Sequence, residues 1–287
     1  MPETGNLSAR ATVLVTGASS GIGRAVAVDL AGRSFDVIAG VRRPEDAAEL
    51  KAAAPGRIET VELDVTVPEQ VAAALATVEA RAGAKLAGIV NNAGIAVAGP
   101  LEFLAIEDLR SQLEVNVIGQ LAVAQAFLPR LRADGGRLVF VGSVSGLVSS
   151  RLVGAYAASK FALEAIADAL RRELKPWGLR VSLVEPGRIA TPIWRKSLED
   201  ALDRLSRMPP EAREYYSDLI QDLVRSAEEA STGGSDPRLV ADAVRRALTD
   251  RRPRTRYFVG VDAHTINVLR RVLSDPLFDR LIAATGR

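Results

Sequence analysis

Residues 143–160 read SVSGLVSSRLVGAYAASK, and three of them, Ser143, Tyr156 and Lys160, are of types that can hold a carbonyl oxygen and exchange a proton with it. Tyr156 and Lys160 stand four apart, so on a helix they share one face, one turn from each other. A phenol has a pKa of about 10 and is a poor acid or base at neutral pH. A neighbouring ammonium favours the phenolate, so Lys160 is expected to draw the Tyr156 pKa down toward the working range. Ser143 follows an apolar run over 137–142 that reads as a buried strand. A hydroxyl at the C-terminal end of such a strand points into the crevice where open α/β sheets bind ligands. Taken alone, Y-x-x-x-K is also what an ordinary amphipathic helix can carry, so the assignment depends on the elements around it.

Those elements begin with a β-branched apolar run over 12–16, expected as a central strand. It enters the turn Gly17-Ala18-Ser19-Ser20-Gly21-Ile22-Gly23, and a helical stretch follows from Arg24. Strand, glycine turn and helix start together make a phosphate site. Gly17 permits the tight turn, Gly21 lets backbone approach a pyrophosphate, and Gly23 lets helix and strand pack closely. The second strand, over 35–41, ends Val41-Arg42-Arg43, with no carboxylate before Glu45. A carboxylate there would hold a ribose diol and repel a 2′-phosphate. Arg42 can instead pair with a phosphate, with Ser20 adding a hydroxyl, so NADP is expected rather than NAD. Arg43 either shares this task or points to solvent.

A third strand over 58–63 leads to Asp64 and Val65. Asp64 can accept from an adenine amino group, or it can brace the turn before Pro68. The fourth strand, over 86–90, ends in Asn91-Asn92-Ala93-Gly94, where small residues allow close approach of a nucleotide and the amides can satisfy strand-end backbone groups. A long helix is expected over 105–133, with Asn116 in its middle. Asn is a poor helix-interior residue, so it holds a water, bends the helix, or serves as a buried structural amide.

Composition narrows the function classes. The chain has 287 residues, 48% hydrophobic and 25% charged, and alternating strand and helix patterns suit one α/β domain over 10–287. A net charge of +2 carries no nucleic-acid footprint. There is no Cys, so disulfide and thiolate chemistry are excluded. The single His264 excludes His-based triads and most His-rich metal sites, and no metal is expected. No run of about 18 apolar residues occurs and the start MPETGN does not read as a signal peptide, so a cytoplasmic protein without a transmembrane segment is expected.

Taken in order and spacing, these motifs closely resemble the short-chain dehydrogenase/reductase family. The matching residues are Thr16 to Gly23, Asn91 to Gly94, Asn116, Ser143, Tyr156 to Lys160, Pro186-Gly187 after a strand near 179–184, and Thr191. Residues 10–195 carry the resemblance. The stretch from Tyr156 to Trp194, with Gly99-Pro100-Leu101-Glu102, looks most like the hydroxysteroid and retinol dehydrogenase branch. The resemblance implies a Rossmann-like doubly wound parallel sheet of about seven strands. It implies Tyr156 as catalytic acid/base, Ser143 as stabiliser of the substrate oxygen, and Lys160 as a ribose ligand that lowers the Tyr156 pKa. It further implies a proton-relay water on Asn116, and Thr191 with the Ile189 backbone on the carboxamide. Ser34 departs from the family's usual Gly before the second strand.

Residues 195–235 are the least family-like part and are expected as a helical substrate lid, broken at Pro209-Pro210 and ended by Thr232-Gly233-Gly234-Ser235. Its apolar residues either line a lipophilic pocket or pack the lid down. These are Ile193, Trp194, Leu198, Leu202, Leu205, Met208, Tyr215, Tyr216, Leu219 and Leu223. Residues 264–287 are expected as a helical extension, its amphipathic part facing core, an oligomer partner or a membrane. Residues 1–10 read as a loose tail. Small and apolar residues such as Ala122, Ala126, Ala158, Ala162, Ala165 and Ala169 suggest a homodimer or homotetramer. The expected activity is an NADP(H)-dependent interconversion of a secondary alcohol and a ketone, or an allylic alcohol and an aldehyde, on a lipophilic small molecule. A catalytically silent cofactor sensor and an epimerase on the same scaffold are the alternatives.

Overall fold

The computed structural model describes residues 10–284 apart from Ser34 and Ala82, so Ser34 and most of the expected tail lie outside the described residues. Seven strands form one parallel sheet: β1 (Thr12–Val15), β2 (Asp36–Val41), β3 (Ile58–Glu62), β4 (Leu86–Asn91), β5 (Arg137–Val141), β6 (Arg180–Pro186) and β7 (Arg256–Val259). Their spatial order is β3-β2-β1-β4-β5-β6-β7. The winding reverses between β1 and β4, and a crevice opens beyond the strand ends at such a switch point.

The helices are α1 (Gly21–Ala31), α2 (Ala47–Ala53), α3 (Pro68–Glu79), α4 (Ile106–Leu113), α5 (Gln120–Asp134), α6 (Gly154–Glu173), α7 (Ile193–Arg207), α8 (Pro210–Tyr215), α9 (Ser217–Gly233), α10 (Pro237–Thr249), α11 (Val261–Val272) and α12 (Asp275–Ala284). Both sheet faces are covered, so the central strands are apolar throughout, and period-two alternation sorts their side chains between two cores. Val13, Val15, Val37, Val139 and Val184 join Val26 and Leu30 of α1 and Val240 and Val244 of α10. Leu14, Ile38, Ile89, Leu138, Phe140 and Leu183 join Val71 of α3, Phe127 and Leu131 of α5 and Leu163 of α6. Each large side chain buried this fully contributes roughly 1.5–3 kcal/mol.

Two expected elements differ in detail. The long helix over 105–133 is interrupted between α4 and α5 by a π-helical stretch, Glu114–Gly119, which holds Asn116. Its end packs tightly: a Cβ on Gly119 would fall 2.7 Å from Val65 Cγ2 and 2.9 Å from the Val65 carbonyl oxygen. The C-terminal extension is two helices, not one. Leu273 is extended, and Asp275 precedes Pro276, a position that disfavours continuing a helix. Among the described residues no helix is long and apolar enough to cross a membrane.

The segment expected as a lid is α7, α8 and α9, with the break at Met208 and Pro209. Leu205, Met208 and Ala212 form a small core of their own with Phe103 and Leu104. The segment leaves and returns at one place. Ser235 N donates to the Arg188 carbonyl at 2.9 Å, and Ala190 N to the Ser235 carbonyl at 3.0 Å.

Phe127 is fully buried between the sheet and α5. Phe127→Ala is expected to cost about 3–5 kcal/mol in urea unfolding, because the cavity it leaves cannot collapse against a sheet. A loss below about 1 kcal/mol would contradict this packing.

Candidate functional site

The site begins at the β1–β4 junction. Gly17 has φ +64°, and a Cβ there would lie 2.8 Å from Ala93 Cα. A Cβ on Gly23 would collide with the Gly17 carbonyl and fall 2.5 Å from Asn92 Nδ2. Asn92 Nδ2 donates to the Thr16 and Gly17 carbonyls at 3.0 and 3.1 Å. Thr16 Oγ1 accepts from Asn92 N at 3.0 Å and Ala93 N at 2.9 Å. The glycine turn is thus clamped to the end of β4, and Asn92 takes the strand-end role that its amide allows. Gly21 has φ +54° and faces Thr191, whose Cβ would be 3.2 Å from an added Cβ.

Beyond this turn lies a cavity of about 410 Å³. The candidate catalytic and cofactor-binding residues line it: Gly17, Ser19, Ser20, Gly21, Ile22, Gly23, Arg42, Asp64, Val65, Asn92, Ala93, Gly94, Asn116, Ser143, Tyr156, Lys160, Pro186, Gly187, Ile189 and Thr191. Arg42 and Arg43 part ways. Arg43 pairs with Asp46 at 3.2 Å and Glu45 at 3.7 Å, whereas Arg42 lines the cavity with Ser19 and Ser20. Asp64 braces its turn, accepting from Thr66 N at 2.9 Å and Thr66 Oγ1 at 2.7 Å while it lines the cavity.

Lys160 lies one turn after Tyr156 on α6, as the spacing requires. Its Nζ donates to the Val141 carbonyl at 2.9 Å and sits 5.7 Å from the centre of the Tyr156 ring. The expected lowering of the Tyr156 pKa is not what this arrangement produces. Burial pushes the phenol up, a hydrogen bond with the Ser143 side chain pulls it down, and the charge of Glu185 pushes it up again. Burial also lowers Lys160 to about 8, against an upward pull from Glu185. The desolvation that the sheet and α6 impose is the largest influence on each group. Ser143 itself caps a short turn, its Oγ accepting from Ser145 N at 3.1 Å.

Asn116 is held by three hydrogen bonds within the protein. Oδ1 accepts from Ile95 N at 2.9 Å, and Nδ2 donates to the Ile95 carbonyl at 3.0 Å and to Ser159 Oγ at 3.1 Å. Gln112, four residues earlier, makes parallel bonds to Val97 N, the Ile95 carbonyl and Ser159 Oγ. Ser159 Oγ donates to the Tyr156 carbonyl at 2.7 Å. This network ties the π-helical stretch and the loop after β4 to the first turn of α6. Gln112 was not singled out from the sequence, and neither was Glu185. The signal for the first is its i−4 spacing to Asn116. For the second it is an acid inside the apolar run Val-Ser-Leu-Val-Glu-Pro.

The apolar residues of α7 to α9 divide. Ile193, Trp194, Leu198, Leu219 and Leu223 line the cavity, while Leu205 and Met208 pack inside the segment. Leu202 and Tyr215 are exposed, and Tyr216 donates to Glu102 at 2.8 Å. Ser197 Oγ donates to the Ala96 carbonyl at 2.6 Å, and Arg151 meets Asp222 at 3.5 Å across the cavity mouth.

Residues 11–202 match the family described as short chain dehydrogenase. The chain is 39% identical over 260 residues to retinol dehydrogenase 5 of Mus musculus, covering 88% of this chain and 81% of that one. It is 37% identical over 261 residues to 17-beta-hydroxysteroid dehydrogenase type 6 of Homo sapiens, with the same shares covered. A solved short chain dehydrogenase from Burkholderia cenocepacia, in complex with NADP, superposes with a TM-score of 0.74 at 28% identity over 96% of this chain and 98% of that one. The motif order, the 3-2-1-4-5-6-7 sheet and these matches agree: the chain belongs to the short-chain dehydrogenase/reductase family of oxidoreductases, on the side of the hydroxysteroid and retinol dehydrogenases.

Proposed function

We propose that the protein is an NADP(H)-dependent oxidoreductase that interconverts a secondary alcohol and a ketone, or an allylic alcohol and an aldehyde, on a lipophilic substrate. The observation that carries this reading is the meeting of Ser143, Tyr156 and Lys160 on the wall of the cavity that the glycine turn opens. That turn suits a dinucleotide, since at Gly17 and Gly23 any Cβ would close the cradle against backbone. When bound, the cofactor supplies or accepts the hydride at the carbonyl carbon. Tyr156 exchanges the proton with the substrate oxygen, and its raised pKa keeps it in the donating form at neutral pH. Ser143, hydrogen-bonded to Tyr156, supports the same oxygen. The Lys160 ammonium, anchored on the Val141 carbonyl, places positive charge beneath both.

NADP is preferred to NAD because β2 ends at Val41 without a carboxylate and Arg42 is left facing the cavity, while Arg43 is occupied by Asp46. The relative solved with NADP supports this. Ile193, Trp194, Leu198, Leu219 and Leu223 support a lipophilic substrate. A silent sensor has no need of a proton donor, and net cofactor consumption separates a dehydrogenase from an epimerase. The same reading takes the protein as a cytoplasmic homodimer or homotetramer. Ile118 and Phe161, 52% and 46% exposed beside Ala158, Ala165 and Ala169, offer a pairing face.

Tyr156→Phe is expected to lower turnover of a lipophilic ketone at least about 10²-fold while NADPH still binds. Near-normal turnover in a folded variant would sink the assignment. In the reducing direction both Tyr156 and Lys160 act in protonated form. The value of kcat/KM should therefore fall as pH rises through about 8, where Lys160 loses its proton. A flat profile across that range would remove Lys160 from the chemistry. For the cofactor, Arg42→Ala should weaken NADPH by roughly 10- to 150-fold, the range for a lost charge-assisted bond, and leave NADH little changed. Fluorescence titration with both reduced cofactors measures this, and equal affinities in the wild type would show the strand end to be misread.

A further inference from the structure

Glu185 is an acid on a face built for apolar side chains. It follows Val181 and Leu183 along β6 toward the core shared with α6, and it is fully buried. Its Oε2 accepts from Ser143 N at 3.0 Å. Gly142 makes room for it, since a Cβ there would fall 2.6 Å from that oxygen. Its Oε1 receives no N–H or hydroxyl, and neither does Oε1 of Glu164, although both are buried. Two such buried carboxyls satisfy each other only when one of them carries a proton and donates it.

The surrounding charges show which one. Glu164 Oε2 takes two donors from Arg256, Nε at 2.9 Å and Nη2 at 2.5 Å, and the same Nη2 reaches Asp168 at 3.2 Å. Glu164 is thus paired with Arg256, and Glu185 is the carboxyl that burial drives toward its protonated form. Burial first, then the bond and charge of Glu164, push the Glu185 carboxyl well above the ordinary range, while Arg256 and the Ser143 N–H pull it back. Tyr156 and Lys160 of α6 face it from the site, and once Glu185 ionises its charge raises the proton affinity of both. On the far side, Arg270 and Arg271 of α11 line a groove of about 200 Å³ with Glu164 and Arg256.

We propose that Glu185 is a positioning residue for the proton-transfer centre: it anchors the Ser143 backbone from behind and relays the charge of the Glu164–Arg256 cluster to Tyr156 and Lys160. This rests on the alcohol–carbonyl reading above. Its chemistry needs no added reactant, since Glu185 only holds a hydrogen bond and gains or loses its own proton.

The test compares wild type, Glu185→Gln, Glu185→Leu and Tyr156→Phe for kcat, KM, pH profile, thermal unfolding and NADPH binding. Glu185→Leu leaves the Ser143 N–H unpaired, and kcat should fall on the order of tenfold with little change in the KM for NADPH. Glu185→Gln keeps an oxygen for Ser143 N and offers its NH2 to Glu164, so it should recover most of that loss. It cannot ionise, however, and no longer holds the protons of Tyr156 and Lys160. Its alkaline limb in kcat should move to lower pH by about one unit. In the ligand-free protein, an infrared band of a protonated carboxyl should disappear on raising pH in wild type and be missing in both Glu185 variants. If both variants keep the wild-type kcat, pH profile and infrared band while Tyr156→Phe is inactive, this inference is overturned and the alcohol–carbonyl reading stands. If Tyr156→Phe stays active, that reading falls and the inference with it. Should Glu185→Leu fail to fold, the pH profile and infrared band of Glu185→Gln decide.

Discussion

The contact on which the structure depends is the near-touching of two backbones at the β1–β4 switch point. The Gly17 carbonyl, the Gly23 Cα and the Asn92 amide occupy a space in which a single added carbon has no room. Covering both faces of an open parallel sheet takes two windings that start from its middle, so the strand order reverses there, and the crevice that results is only as narrow as the turn permits. Asn92 and Ala93 close the gap by donating hydrogen bonds to Thr16 and Gly17. Helix α1 starts at Gly21 with its first amide groups at the mouth of the cavity, because the turn before it has been pulled against β4.

A second constraint places α6 against this frame. The buried amides of Gln112 and Asn116 converge on Ser159 Oγ, which bonds the Tyr156 carbonyl. A π-helical stretch re-aims side chains relative to a regular helix, and here it brings Asn116 to Ile95 and Ser159 together. These bonds fix that amide in the cavity wall. It acts on Tyr156 through the backbone of α6, while the phenol is governed by Ser143, burial and Glu185.

Much of this was legible because it is local. The glycine turn, the Tyr156–Lys160 spacing, the alternation of apolar strands and helices, and the double proline of the α7–α9 segment are each written within a few residues. What was not legible depends on burial and on partners distant in sequence. The spacing puts Lys160 next to Tyr156, but not the desolvation that makes the phenol harder to ionise, nor the Val141 carbonyl that holds the ammonium. The pairing of Arg43 with Asp46 sits three residues away and could have been read, which would have settled the alternatives left open for Arg43. The π-helical stretch has no sequence signature beyond an Asn in a helix. Glu185 gains its meaning only from Glu164 and Arg256, which the fold brings from α6 and β7.

The bridge between Ile189 and Ser235 has a consequence for how such a protein can change. The α7–α9 segment departs and returns through a single doorway at the end of β6, where its two ends are already hydrogen-bonded. Closing a loop whose ends are pinned costs only slightly more as the loop lengthens. Residues between the two ends can therefore be added, removed or exchanged while the sheet, the glycine turn and Tyr156 keep their places. The segment behaves as an interchangeable cover on a fixed chassis, so the range of molecules such a chain accepts can drift faster than the chemistry beneath it.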